Sequence, residues 1–98
     1  MGWRTEYNEQ VLKELARLDK VDAKMILSSI QEFADRFSPE YEKSLMASGK
    51  IKKLKSKRNL YRLRLRVFRV IYCKENEQLK ILVIRIGHRK DVYKNLCQ

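Results

Sequence analysis

Tyr61-Arg62-Leu63-Arg64-Leu65-Arg66-Val67-Phe68-Arg69-Val70-Ile71-Tyr72 is the stretch on which the reading of this chain turns. Arginines alternate with apolar residues, the period of a half-buried strand. One face of such a strand packs on a core while the other presents a row of guanidinium groups. Continued to Lys74, the stretch runs for 14 residues, too long for one ordinary strand. A hairpin turning near Arg66-Val67 is predicted, although no Gly or Asn marks the turn. Glu75-Asn76-Glu77-Gln78 reads as a second turn. Leu79 to Ile86 then forms a mostly apolar run suited to a strand covered on both faces, and Gly87 ends it.

Upstream, Trp3 to Tyr7 alternates weakly and suits a short first strand. Asn8 is a good helix N-cap. Val11, Leu12, Leu15 and Leu18 recur at helical spacing, giving a first helix of about three turns. Asp19-Lys20 breaks it. Asp22 favours the start of a second helix, where its charge meets the positive dipole end. Ile26, Ile30, Phe33 and Phe37 form the apolar stripe of that helix, and Ser38-Pro39 stops it. Residues 40–60 are the least regular, with Gly49 permitting a turn. At the other end of the chain, Asp91 to Leu96 reads as a short helix or an irregular tail. The expected class is α+β: an N-terminal strand and a helical hairpin packed on a mainly antiparallel sheet that ends in a three-strand meander. Residues 1–98 are expected to form a single domain.

Charge is unevenly placed. The chain carries a net charge of +11, and residues 43–74 hold 12 basic residues and no acid. Lys50, Lys52, Lys53, Lys55, Lys57 and Arg58 crowd the approach to the arginine strand. A long acid-free segment creates a positive field on one side of a small molecule, which implies a polyanionic partner: nucleic acid, an acidic protein segment or an anionic membrane. A merely solvated basic face is the plainer alternative, but these arginines sit at strand spacing rather than in a loose lysine tail. No apolar run is long enough to cross a bilayer and no signal-peptide pattern opens the chain, so neither membrane association nor export is expected. Cys73 and Cys97 lack metal-ligand spacing and are expected to be reduced thiols. The carboxylates and the lone histidine do not cluster, so neither metal nor cofactor is expected.

The strand Arg69-Val70-Ile71-Tyr72, followed by Val83-Ile84-Arg85-Ile86-Gly87-His88-Arg89-Lys90-Asp91-Val92-Tyr93, resembles the RelE/ParE superfamily of bacterial toxin–antitoxin toxins, and most closely its RelE branch. The likeness extends over nearly the whole chain, because the helical hairpin also fits. It implies a cytoplasmic, ribosome-dependent endoribonuclease that cleaves messenger RNA by attack of a 2′-hydroxyl on the adjacent phosphate. The positions implied as catalytic are Arg62 and Arg64 on the first meander strand, Arg69 on the second, and Arg89 and Tyr93 near the end. RelE members commonly carry lysines where this chain has Arg62 and Arg64. The implied partners are the ribosome, mRNA and a cognate acidic antitoxin, with the toxin alone monomeric and its antitoxin complex of higher order.

The chemistry of these residues can be argued independently of the family. Arginine offers a planar fork of donors for a phosphate whose charge grows in the transition state, but it stays protonated and is a poor base. Tyr93 can exchange a proton if neighbouring cations favour its phenolate. His88 titrates near neutral pH, yet alternation turns it away from Arg89, leaving it either an acid/base or a supporting role. Lys50, Lys52, Lys53, Lys55, Lys57, Arg58 and Arg66 are expected to contact RNA or the ribosome. Two other functions fit the same pattern. One is a ParE-like toxin that binds DNA gyrase without catalysis; the other is a non-catalytic RNA-binding domain, for which the sheet would need exposed stacking aromatics.

Overall fold

The computed structural model describes residues 3–55 and 59–86, and of Val83, Arg85 and Ile86 the backbone alone. The elements run β1 (Arg4–Tyr7), α1 (Glu9–Ala16), α2 (Lys20–Arg36), α3 (Pro39–Ala47), β2 (Ile51–Lys53), β3 (Tyr61–Leu65), β4 (Phe68–Glu75) and β5 (Gln78–Ile86). The five strands form one sheet in the order β1-β5-β4-β3-β2. β1 runs parallel to β5, and the other pairings are antiparallel. The expected α+β class and the β3–β4–β5 meander are both present.

Local chemistry sets the helix limits. Asn8 caps α1 by accepting a bond from the Gln10 N–H at 2.9 Å, satisfying one of the donors a helix start leaves open. The helix has 8 residues and ends at Ala16, so Leu18 lies beyond it. α2 begins at Lys20 with Asp19 at its N-cap position, earlier than the expected start at Asp22.

Residues 40–60 are more regular than their composition suggests, because they contain most of α3 and the short β2. Pro39 stops α2 and also opens α3. Its fixed φ suits the first helical position, and Ser38 Oγ accepts from the Tyr41 N–H at 3.0 Å.

The core lies between the helices and one sheet face. Val11 and Leu15 of α1, and Ile26, Ile30 and Phe33 of α2, pack against Leu63, Val70, Tyr72, Leu79 and Ile81 of the sheet. β4 alternates as its sequence demands: Phe68, Val70 and Tyr72 join this core, while Ile71 and Cys73 face the other way. On that second face they form a satellite cluster with Leu60, flanked by Leu54 and Leu82. The Leu54 N–H bonds to the Leu60 carbonyl at 2.9 Å, which brings these two residues together at the cluster. Cys73 is a free, buried thiol.

β5 breaks simple alternation. The ladder pairs Ile71 with Val83 but Tyr72 with Ile81, so Leu82 is an extra, bulged residue. A bulge shifts the phase of a strand, and Ile81 and Ile84 therefore both reach the helix-side core. Leu79, Ile81 and Ile84 are thus buried on the helix face, whereas Lys80 and Leu82 on the other are only half-buried. Pairing between β1 and β5 stops at Tyr7 and Ile81. Beyond that point the Ile84 N–H donates to Glu14 Oε1 at 3.0 Å, which ties α1 to the central strand.

Candidate functional site

The face of the sheet turned away from the helices carries the arginines. β3 buries Leu63 and Leu65 in the core, so the intervening Arg62 and Arg64 project from the opposite face. Arg69 shares that face with Ile71 and Cys73 by alternation. Lys52 lies opposite Arg62 in the β2–β3 ladder. Arg64 lies directly opposite Arg69, and Arg69 opposite Arg85, in the next two ladders. Like charges placed directly across an antiparallel pair destabilise a sheet. A bound anion removes that cost, so the arrangement suits a phosphate-bearing ligand.

The arginines differ in freedom. Arg62 Nη2 donates to the Gly49 carbonyl at 2.8 Å, while its buried Nε has no hydrogen-bond partner. Arg69 Nη1 donates to the carbonyls of Arg66 and Phe68, each at 3.0 Å. Arg66 occupies the left-handed region, with φ 55°, at the first central position of the β3–β4 turn. Arg69 therefore supports a turn that lacks the glycine such a conformation favours. Arg64 and Arg66 are exposed, as are Lys50, Lys52, Lys53 and Lys55. Lys53 is next to Lys52 but on the helix side of β2, with buried Ile51. Lys57, Arg58, His88, Arg89 and Tyr93 lie outside the described residues, as does Asp91 to Leu96.

A second polar group went unread in the sequence. Glu42 of α3 is 6% exposed. Its Oε2 accepts from the Tyr72 hydroxyl at 2.7 Å and its Oε1 from Lys74 Nζ at 2.7 Å. Tyr61 stacks on Tyr72 with ring centroids 5.4 Å apart, and Lys74 Nζ lies 4.6 Å from the Tyr61 centroid. Burial raises the Tyr72 pKa, and the Glu42 carboxylate raises it further. Burial alone would lower that of Lys74, but the bond and charge of Glu42, with Tyr61, raise it overall. This network joins α3 to the sheet on the helix side. The signal for it was the Ser38-Pro39-Glu40 helix start, which places Glu42 on a helix instead of in a loop. Among the described residues no group of His, Cys, Asp and Glu could hold a metal, and no helix is long and apolar enough to cross a membrane.

A helical layer on one face of a five-stranded sheet, with Arg64 and Arg69 in register on the other, defines a small basic α+β protein with a concentrated positive face. Residues 5–93 match the family described as the ParE toxin of the type II toxin–antitoxin system parDE. A RelE-like toxin protein of Escherichia coli is 31% identical over 97 residues, covering 95% of this chain and 92% of that protein. The chain is similar to the archaeal RelE solved with RelB from Pyrococcus horikoshii, with a TM-score of 0.67, 26% identity and coverage of 91% of this chain and 99% of that one. It also shares the fold of a free E. coli RelE variant in which two arginines are replaced by alanine, with a TM-score of 0.65, 19% identity and coverage of 98% and 95%. The chain belongs to the RelE/ParE superfamily and is a toxin of a toxin–antitoxin module.

Proposed function

We propose that this toxin is a ribosome-dependent mRNA endoribonuclease acting without a metal. The observation that carries the reading is the ladder in which Arg64 lies opposite Arg69, beside Arg62 on the same face. In the proposed reaction the 2′-hydroxyl of one nucleotide loses its proton and bonds to the adjacent phosphorus. The bond from phosphorus to the 5′-oxygen breaks, and that oxygen takes up a proton. The products are a 2′,3′-cyclic phosphate and a 5′-hydroxyl. Arg64 and Arg62 stabilise the added charge on the phosphoryl oxygens. Arg69 holds the turn from which Arg66 meets the RNA, and adds positive charge beside Arg64. Arg89 is assigned to the leaving oxygen and Tyr93 to proton transfer, with His88 in a supporting position. Lys50, Lys52, Lys53, Lys55, Lys57 and Arg58 extend the basic surface toward the ribosome. An acidic antitoxin partner restrains the toxin, as the RelE–RelB complex of P. horikoshii suggests by analogy.

The match to the ParE family favours a second reading, a toxin that binds DNA gyrase and cleaves nothing. The two share a fold, so chemistry must separate them. The test is to incubate the purified toxin with programmed ribosomes carrying a defined message and, separately, with gyrase and relaxed plasmid. The ribonuclease reading requires a cut message whose 5′ fragment ends in a 2′,3′-cyclic phosphate. Intact message together with lost supercoiling would establish the gyrase reading instead.

A further inference from the structure

Glu14 of α1 is buried, 7% exposed, and has no part in the reaction proposed above. Its Oε1 accepts from the Ile84 N–H at 3.0 Å. That bond lies just past the end of β1: the Asn8 N–H reaches the Ile81 carbonyl, and the β1–β5 pairing stops there. In an antiparallel ladder, residues that bond to the partner strand alternate with residues that bond outward. Ile84, opposite Val70, bonds outward, and Glu14 stands where a longer β1 would have paired with it.

The phase of β5 depends on that outward bond. The ladder runs in one register from Glu75–Gln78 to Tyr72–Ile81 and in another from Ile71–Val83 to Phe68–Ile86, with Leu82 as the extra residue between them. If the first register simply continued, Ile84 would lie opposite Arg69, and Arg85 opposite Phe68, a core residue. A slip of one residue exchanges the faces of a strand. It would also turn the Ile84 N–H toward β4 and away from Glu14. Val83 could take the place of Ile84 opposite Val70 after such a slip, so apolar content alone is a weak guide to phase here. We propose that Glu14 is a positioning residue: by holding the Ile84 N–H it locks the bulged register that sets Arg85 opposite Arg69. Arg64, Arg69 and Arg85 then form one row across three strands. The inference rests on the reading that this face meets RNA, and it adds Arg85 to the phosphate contacts. Its sign is distinctive. Removing a carboxylate ordinarily strengthens a protein's hold on a polyanion, whereas removing this one should weaken it.

The test follows oligouridylate binding by the full chain as a function of salt. Arg85→Ala should reduce the log–log slope by about 0.7, the value of one single-strand phosphate contact. Glu14→Ala should reduce it toward the same value despite the gain in net positive charge, and the Glu14→Ala, Arg85→Ala double variant should go no lower. Glu14→Gln retains an acceptor oxygen and should keep the wild-type slope. Amide exchange supplies a second readout. The Ile84 amide should exchange at least about tenfold faster in Glu14→Ala. The Arg64 amide, bonded to the Lys50 carbonyl on another part of the sheet, should not change. If Glu14→Ala does not fold by circular dichroism, Glu14→Asp, which withdraws the carboxylate by one methylene, replaces it. A slope unchanged in Glu14→Ala, or reduced equally in Glu14→Gln, overturns the proposal. So do equal acceleration of both amides, which marks a general loss of stability, and a wild type that does not bind the oligonucleotide. The expected slopes in a toxin that leaves ribosome-bound message whole would sink the ribonuclease reading and spare this one.

Discussion

The Tyr72 hydroxyl donates to Glu42 Oε2 at 2.7 Å, joining the middle of β4 to α3 inside the core. The same carboxylate accepts from Lys74, so one buried acid is satisfied from two positions on one strand. Buried carboxylates persist only with such partners. Truncating the acid strands both of them. Glu42→Ala should destabilise the fold by about 3 kcal/mol, and Tyr72→Phe, which keeps the ring packing, by about 1–3 kcal/mol. Urea unfolding of the three proteins checks both figures.

The same network sets an alkaline limit. Folding raises the pKa of Tyr72 above the usual 10.0 and that of Lys74 above 10.5. A raised pKa gives stability that is complete below the unfolded value and lost as pH climbs, because the unfolded chain gives up its proton first. Stability should therefore fall with rising pH above about 10. The fall should be shallower in Tyr72→Phe. Unfolding midpoints measured from pH 8 upward give the slope, and equal slopes in the two proteins would separate Tyr72 from the effect.

Two turns carry non-glycine residues in the left-handed region. Asn76 and Glu77, at φ 50° and 59°, form the β4–β5 turn, the arrangement for which Asn-Gly is the usual sequence. Glu77→Gly should stabilise the protein by up to about 1 kcal/mol, since the left-handed cost falls away. The Arg4 N–H bond to the Glu77 carbonyl is a backbone contact and survives the change. At the other turn, Arg69→Ala removes donors to Arg66 and Phe68 and should cost about 1 kcal/mol. Thermal unfolding of both variants would show shifts of opposite sign.

Contact with single-stranded RNA should weaken steeply with salt. Replacing one phosphate-contacting arginine should reduce the log–log slope by about 0.7. Arg64→Ala is expected to show this reduction clearly, because Arg64 is exposed and its backbone bond to the Lys50 carbonyl survives the change. Arg62→Ala and Arg69→Ala should show it together with some loss of stability. Slopes unchanged in all three would make the arginine row a solvated surface.

If Tyr93 moves a proton, Tyr93→Phe should slow single-turnover cleavage by about 10²–10⁴-fold. Arg89→Ala should cost about 3–4 kcal/mol of transition-state stabilisation. The double variant should lose less than the sum, because both groups act on one transition state. Rates measured on programmed ribosomes decide this, and wild-type rates in both variants would relocate the site.

Alternation and capping made much of the fold legible. A period of two from Tyr61 to Tyr72 fixes which residues enter the core of any sheet containing them. Those same local rules put Arg62, Arg64 and Arg69 on one face, and the length of the run required a turn near Arg66-Val67. Helical spacing likewise marked α1 and α2. What local pattern could not decide was everything that depends on contacts between distant segments. Pro39 was read as a stop, while its use as the first residue of α3 became visible only with that helix in place. The Leu82 bulge, which carries Ile84 into the core, follows from matching β5 to both β4 and the helices. Polar partners 30 and 32 residues apart, Glu42 with the Tyr72 hydroxyl and the Lys74 ammonium, leave no periodic trace. Periodicity reports the face a side chain takes; only tertiary packing brings separate faces together.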